Sequence, residues 1–359
     1  MEMLKFVKKV TPPFVVGTVN TPSGVVHRVT NTWSRQDRWG MIRSRISAFR
    51  MAYAVEPGLY AVGTPTKDSE VFVTANYKLT FDMLRRSLAG IDAWVLVLDT
   101  KSINVWCSAG KGTFGTDELV RRISMVKLDA VVEHRRIILP QLGAVGVSAS
   151  EVQMRTGFRI LFGPVEARDI PAYLALGRKK TREMSTMRFN IVDRLVLTPM
   201  EINPAMKKYP WFALGVLVLF GLQPSGILFT SAWHAGVTFL LLGLLAVLCG
   251  AFVTPVLLPY VPFRSFAVKG WIVGMAAVVG AELLFDPMPL RNMLLLGFVF
   301  VLFPALSSYI ALQFTGSTTF TGMSGVKKEL KIGVPIYIVA AAASFVLIVV
   351  YKLKEWEVL

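Results

Sequence analysis

A chain of 359 residues with 53% hydrophobic residues and a mean hydropathy of +0.54 is too apolar for an ordinary soluble protein. Its net charge of +16 is uneven: residues 1–208 carry 31 Lys/Arg against 18 Asp/Glu, residues 209–359 only 8 against 5. The two cysteines, Cys107 and Cys249, form no Cys-x-x-Cys pair, which excludes a cysteine-ligated iron–sulfur cluster or zinc ribbon held by this chain, and a disulfide framework as well.

The pattern predicts a basic α/β domain over 1–165, a basic connector over 166–208 and an all-α membrane domain over 209–359. Met1-Glu2-Met3-Leu4-Lys5 lacks the apolar core of a signal peptide, so the first domain is expected in the cytoplasm. Its positive charge is spread over many segments. That fits a domain tethered at an anionic leaflet better than a nucleic-acid surface, and no nucleic acid is expected.

Residues 1–32, rich in Thr, Pro, Gly and Val, read as an irregular arm with short strands. Arg35–Arg50 holds five arginines; it reads as a solvated helix face, with a phosphate or carboxylate contact as the other option. Met51–Gly63 is a turn into the core. Val71–Asn76 is a short buried strand. Thr80–Leu88 is an amphipathic helix with Thr80 as its N-cap and Asp82 in its first turn. The apolar run Ala93–Asp99 reads as a buried parallel strand. Thr116 is read as capping the next helix, which buries Leu119, Ile123 and Val126 on one face. Arg136–Pro140 is a third strand, ending in the small-residue loop Gln141–Val147. Ser150 and Glu151 open another helix, and Phe158–Pro164 is a fourth strand.

Strands alternating with helices indicate a parallel sheet. Its strand ends, at Thr74–Asn76, Thr100–Asn104, Gln141–Gly146 and Gly163–Pro164, should converge on one rim, where such sheets bind ligands. No strand leads directly into a Gly-x-Gly-x-x-Gly turn or a phosphate-binding loop.

At that rim lies Asn104-Val105-Trp106-Cys107-Ser108-Ala109-Gly110-Lys111-Gly112-Thr113. Asn104 is a good helix N-cap. That places Cys107 in the first turn, where the helix dipole and Lys111 would favour thiolate. Gly110 and Gly112 would allow close approach by a flat ligand. On spacing alone, Cys107 serves equally well as a small buried residue.

This stretch resembles the cap-helix motif of the corrinoid protein of the microbial mercury-methylation pair, in which Asn-Val/Ile-Trp-Cys is followed by small residues, Gly and Lys. Ser108 stands where Ala is usual. Met51–Gly63, with Glu56-Pro57-Gly58-Leu59-Tyr60, resembles the same family and, more distantly, the corrinoid subunit of the acetyl-CoA pathway. The resemblance covers about residues 45–165. It implies a Rossmann-like fold binding a corrinoid (cobalamin, with its cobalt). Asn104 to Gly112 would hold the cofactor, and Thr74, Asn76, Gln141, Gly143, Ala144 and Gly146 are the candidate contacts from the other strand ends. The usual Asp-x-His-x-x-Gly cobalt-binding motif is absent around His27, His134 and His234. Cys107 is therefore the expected lower ligand of cobalt. The resemblance further implies methyl transfer to Hg(II), a ferredoxin-like electron donor with two 4Fe-4S clusters, and a methyl-folate-dependent methyl donor system. Alternatives are a membrane corrinoid carrier with another methyl acceptor, and a metal transporter.

Arg178-Lys179-Lys180-Thr181-Arg182 suits lipid headgroups. Five spans are expected, at 209–229, 234–255, 267–284, 292–312 and 333–351, with Pro224 interrupting the first. Arg264 and Lys269 after the second, and Lys327, Lys328 and Lys331 after the fourth, place those loops in the cytoplasm and the C-terminus outside. Cys249 and His234 are candidates for passing a soft metal ion. Phe314–Glu329 reads as a polar loop; it resembles a Phe-Thr-Gly-x-x-Thr-Phe-Thr segment of corrinoid methyl carriers.

Overall fold

A computed structural model describes residues 12–286, 288–318 and 320–359; Met1–Lys5 and Thr319 of the polar loop lie outside them. The chain divides into two compact units between Arg188 and Phe189.

The first unit is built on a seven-stranded sheet, ordered β1-β2-β3-β5-β4-β6-β7. Its strands are β1 (Val15–Thr21), β2 (Gly24–Val29), β3 (Gly58–Val62), β4 (Val71–Ala75), β5 (Ala93–Leu98), β6 (Arg136–Leu139) and β7 (Arg159–Phe162). The four strands read from the sequence as parallel are parallel: β4 pairs with β5 and β6, and β6 with β7. The sheet as a whole is mixed, because β1 and β2 form an antiparallel hairpin and β3 runs antiparallel to β5. The arm is thus more regular than expected.

Every residue of β4 and β5 is buried, because helices cover both faces. On one face Trp94, Leu96 and Leu98 meet α3 (Val105–Lys111), α4 (Thr116–Met125), α5 (Leu128–Val131) and α6 (Ala149–Thr156). On the other, Val95 and Val97 meet α2 (Lys78–Ser87) and α7 (Ile170–Ala175) through Phe81, Leu84, Ile170 and Tyr173.

Two expected caps are corrected. Helix α2 begins at Lys78, with no side-chain cap at Tyr77, so Thr80 lies inside it. Its start is set by tertiary contacts: Lys78 and Arg85 are buried against Asp82 and against Asp37 of α1 (Arg35–Ile46). Helix α4 is preceded by Gly115, and Thr116 instead accepts a hydrogen bond from the Ser148 N–H at 2.9 Å. Arg35, Arg38 and Arg43 of α1 are exposed, a solvated face as read.

The second unit contains α8 (Ile191–Leu197), α9 (Pro199–Gly221), a two-stranded ribbon of β8 (Leu222–Gln223) and β9 (Gly226–Ile227), α10 (Phe229–Leu248), α11 (Thr254–Leu257), α12 (Phe266–Phe285), α13 (Met293–Gln313) and α14 (Met323–Glu355). Among the described residues four segments are long and apolar enough to cross a membrane: Phe229–Leu257, Phe266–Phe285, Met293–Gly316 and Ser324–Glu355. The fifth expected span, 209–229, is corrected. Its helix, α9, starts ten residues earlier, carries Glu201, Lys207 and Lys208 with Pro204 in its first half, and stops at Gly221 before the Gln223-Pro224 turn.

Helix α9 nevertheless runs alongside α10: Phe220 stacks on Phe239 at 4.4 Å and the Tyr209 hydroxyl donates to the Leu240 carbonyl at 2.6 Å. Leu197, just before α9, packs with Leu258, Phe266 and Phe314 at one end of the bundle. At the other end the Trp356 indole donates to the Leu222 carbonyl at 3.3 Å. The core uses small residues for close approach, as membrane bundles do. Ser307 donates to the Gly270 carbonyl at 2.8 Å and Ser308 to the Ala267 carbonyl at 2.7 Å.

The polar loop is also shorter than read. Residues 323–329 are the first turns of α14, and Phe314, Thr315 and Thr318 are buried.

Candidate functional site

The parallel strands end together, and the chain reverses its direction of strand addition between β4 and its two neighbours: β5 is added on one side, β6 on the other. Ligands bind outside the carboxyl ends of strands at such points. The β5–α3 connection and the β6–α6 connection both issue from this rim.

Helix α3 is only seven residues long, so its ends matter. Asn104 caps it: its side-chain oxygen accepts from the Cys107 N–H at 2.9 Å. Gly112 closes it in the left-handed conformation, φ 81°, which glycine adopts without strain. Val105, Ser108 and Ala109 form the buried stripe. The Ser108 hydroxyl is turned inward and donates to the Asn104 carbonyl at 2.6 Å. This leaves Trp106, Cys107, Gly110 and Lys111 on the outer face, with the Cys107 thiol partly exposed. Gly110 and Lys111 lie one turn on, beside Cys107. A Cβ at Gly110 or Gly112 would meet nothing within 4 Å, so Gly110 leaves open ground beside Cys107 and Gly112 does so at the helix end.

Gln141 to Gly146 lies directly behind α3. Gly143 and Gly146 are needed there for packing: a Cβ on Gly143 would stand 2.6 Å from the Phe114 ring, and one on Gly146 would stand 2.2 Å from the Phe114 carbonyl oxygen. The Gly146 carbonyl in turn accepts from the Thr116 N–H at 3.2 Å. Gln141 is partly exposed and accepts a hydrogen bond from the Lys180 ammonium; Ala144 ends the single turn Gln141–Gly143.

Thr74 is buried within β4. Asn76 at its end is also buried, and its side-chain oxygen accepts from the Thr100 N–H, the Thr100 hydroxyl and the Ser102 N–H at 3.0, 2.9 and 3.0 Å. Lys101 and Ser102 both have positive φ, 57° and 61°, so Asn76 holds a strained turn that feeds α3. Asn104 to Gly112 and Gln141 to Gly146 are therefore brought together, whereas Thr74 and Asn76 act from beneath.

Sequence reasoning missed Glu118. Its carboxylate accepts from the Asp99 N–H at 2.8 Å and from Arg122 at 2.6 Å, tying α4 to the end of β5. Burial alone would raise this carboxyl, but the Asp99 N–H, Arg122 and Arg121 together hold it below the usual carboxylate range. The signal was Asp117-Glu118 at the start of a helix followed by Arg121-Arg122. Also missed was that Gly110-Lys111-Gly112-Thr113-Phe114-Gly115 does spell Gly-x-Gly-x-x-Gly. It joins two helices instead of following a strand, so it lacks the context of a dinucleotide fingerprint.

Cys249 is buried and His234 is exposed. They lie fifteen residues apart along one helical segment, roughly 22 Å at 1.5 Å per residue, so they cannot share an ion. His134 is engaged by the Ser69 carbonyl at 2.8 Å. Among the described residues no three His, Cys, Asp or Glu side chains form a metal-holding group.

Residues 47–174 match the family described as CO dehydrogenase/acetyl-CoA synthase delta subunit. The α/β unit is thus similar in sequence to the corrinoid protein of the acetyl-CoA pathway. The acetyl-CoA decarbonylase/synthase complex subunit gamma of Archaeoglobus fulgidus is 35% identical over 127 residues, 35% of this chain and 27% of that protein. The corrinoid/iron-sulfur protein large subunit of Moorella thermoacetica is 31% identical over 121 residues, 33% of this chain and 27% of that protein. The matched region is about a quarter of the length of these relatives, and the four apolar helices lie outside it.

Proposed function

We propose that the protein is a membrane-anchored corrinoid methyltransferase that passes a methyl group to Hg(II) and forms methylmercury. The observation that carries this reading is the outward-facing Cys107 on an Asn104-capped helix at the ligand rim of a corrinoid-related sheet.

The residues suit such a cofactor. Cys107 is partly exposed, Gly110 one turn on leaves space beside it, and a cysteine sulfur is a soft enough donor for cobalt. A bound corrinoid would supply a methyl group able to leave as a carbanion equivalent. Cys107 would hold the cofactor through its sulfur, and a thiolate donor would favour transfer to an electrophile such as Hg(II). Asn104 and Gly112 fix the helix that aims this sulfur, and Lys111 adds positive charge one turn away. Gln141, Gly143, Ala144 and Gly146 back the helix. Asn76 orients its entry turn, and Thr74 fills the strand below.

Two electrons would be needed for each methyl group passed on in this way. These would come from a ferredoxin-like partner with two 4Fe-4S clusters, and the methyl group from a methyl-folate-dependent donor. The four apolar helices would anchor the chain. With α9, which runs beside α10, as a fifth and less apolar crossing, the Lys/Arg-rich loops and the α/β unit would face the cytoplasm and the C-terminus the outside.

A second reading is favoured by the relatives' names: a membrane-bound corrinoid methyl carrier with a different acceptor. The test is the visible absorption of the full-length protein in detergent with cobalamin, beside Cys107→Ala. A spectral shift that requires Cys107 is expected. Binding without any difference between the two proteins would discard the thiolate role, and no binding would discard both readings. Methyl loss from the loaded protein that depends on added Hg(II) separates the first reading from the second.

A further inference from the structure

The membrane unit has a cavity of about 1280 Å³ between α12, α13 and α14, and it is chemically two-ended. At one end stand Arg264, before α12, and Lys328, in the second turn of α14. Both are exposed, and among the described residues neither has an ion-pair partner. From there the cavity runs between apolar walls: Trp271 of α12, Phe300 of α13, Ile336 and Ala340 of α14. Along α14, the lining from Gly325 to Ala340 is roughly 22 Å long at 1.5 Å per residue. One leaflet's hydrocarbon is about 15 Å, half of a ~30 Å core. The groove can thus take a charged head at its mouth and a chain along its length.

The mouth also contains Glu329, but that carboxylate is already used. It accepts from the Ser265 hydroxyl at 2.8 Å and from the Phe266 and Ala267 N–H groups at 3.1 and 3.0 Å, so it sits on the positive end of α12. Lys269 also lines the cavity, but it is buried and its ammonium donates to the Leu258 carbonyl, so the cations left to face an entering head are Arg264 and Lys328. Beyond the mouth, the lining residues Ile332 and Ile336 of α14 are exposed.

We propose that this groove is a binding site for one anionic phospholipid, its phosphate held by Arg264 and Lys328 and one acyl chain lying along Trp271, Phe300, Ile336 and Ala340. Basic pockets between membrane helices bind such headgroups, and an acyl chain buried along apolar walls adds to the affinity of the head. The occupant is a lipid and not a soluble anion, because most of the lining is apolar.

The test uses full-length protein in neutral detergent, with bound lipid measured by native mass spectrometry. The probes are dioleoyl phosphatidylglycerol, dioleoyl phosphatidylcholine and glycerol 3-phosphate. Phosphatidylglycerol is expected to bind at one per chain, at least about tenfold more tightly than phosphatidylcholine. Arg264→Gln with Lys328→Gln should weaken it by about tenfold, and Ala340→Phe, which narrows the groove without touching a charge, should do so too. Equal binding of the two lipids, or full binding by both variants, would overturn the site. Glycerol 3-phosphate binding as tightly as the lipid would replace it with a soluble-anion site. The Cys107-dependent cobalamin spectrum is read on the other unit, so the two proposals fail separately.

Discussion

Gly146 lies in backbone contact with Ala109: a Cβ built on Gly146 would stand 3.0 Å from the Ala109 Cα and 3.1 Å from its carbonyl oxygen. The loop after β6 and the helix carrying Cys107 are thus packed with no side chain between them. Gly146→Ala should push α3 outward. Overpacking of this kind costs about 1–3 kcal/mol, read as a lower thermal midpoint. The same variant should weaken the cobalamin-dependent spectrum while retaining Cys107. A variant that melts and binds like wild type would show that the contact relaxes freely.

Asn104→Ala removes the only side-chain cap of a seven-residue helix. Short helices depend on such terminal bonds, and loss of this one should lower stability by about 1 kcal/mol. Asn104→Asp keeps an acceptor for the Cys107 N–H and should be close to wild type. Denaturant melts of the three proteins decide this, and equal midpoints for Ala and Asn would remove the cap from the argument.

That cap was readable because its cause is local: Asn before a short helix, Gly after it. The buried strands were readable for a similar reason, since Ala93–Leu98 is apolar on both faces. Thr80 and Thr116 misled because tertiary contacts decide those helix starts: the Lys78 ion cluster in one case and the Ser148 N–H in the other. Of the three added strands, β1 alternates half-buried and exposed positions with none fully buried, and β2 buries only Val26 and Val29, so neither has the apolar run that marks β4 and β5. The length of α9 was hidden because its polar first half is held beside α10 through contacts such as that of Tyr209. Glycines 143 and 146 are read from the sequence as candidate cofactor contacts; the fold adds that a Cβ on them would meet Phe114 and Ala109, and only the fold could show which side of the loop is crowded.

Asn76→Leu should be more damaging than its place at a strand end suggests. The substitution leaves the Thr100 and Ser102 N–H groups without their acceptor, while the Thr100 hydroxyl keeps the Ile103 carbonyl at 2.6 Å; an unsatisfied buried group costs about 1–3 kcal/mol. The turn at Lys101 and Ser102, strained by its positive φ values, should relax and misplace α3. The expected result is a lower melting midpoint together with loss of the Cys107-dependent spectrum. Preserved spectrum with lower stability would confine Asn76 to the fold.

Glu118 makes the pH dependence predictable in sign. Its carboxyl is held below the usual range in the folded protein, whereas in the unfolded chain it titrates near ~4.3. The folded state therefore binds its proton less readily. The contribution is fully present above the unfolded value and is lost as pH falls through the lower folded value. Glu118→Gln removes the charge but keeps the shape, so the stability difference between wild type and variant isolates this group. That difference should be constant from neutral pH down to about 5 and shrink as the unfolded and then the folded carboxyl titrate below it. Because Glu118 accepts the Asp99 N–H at 2.8 Å, the variant should also loosen the connection from β5 to α3 at neutral pH, read as faster amide exchange at Asp99. A pH-independent stability difference would show that the carboxylate's charge contributes nothing to holding this end of the strand.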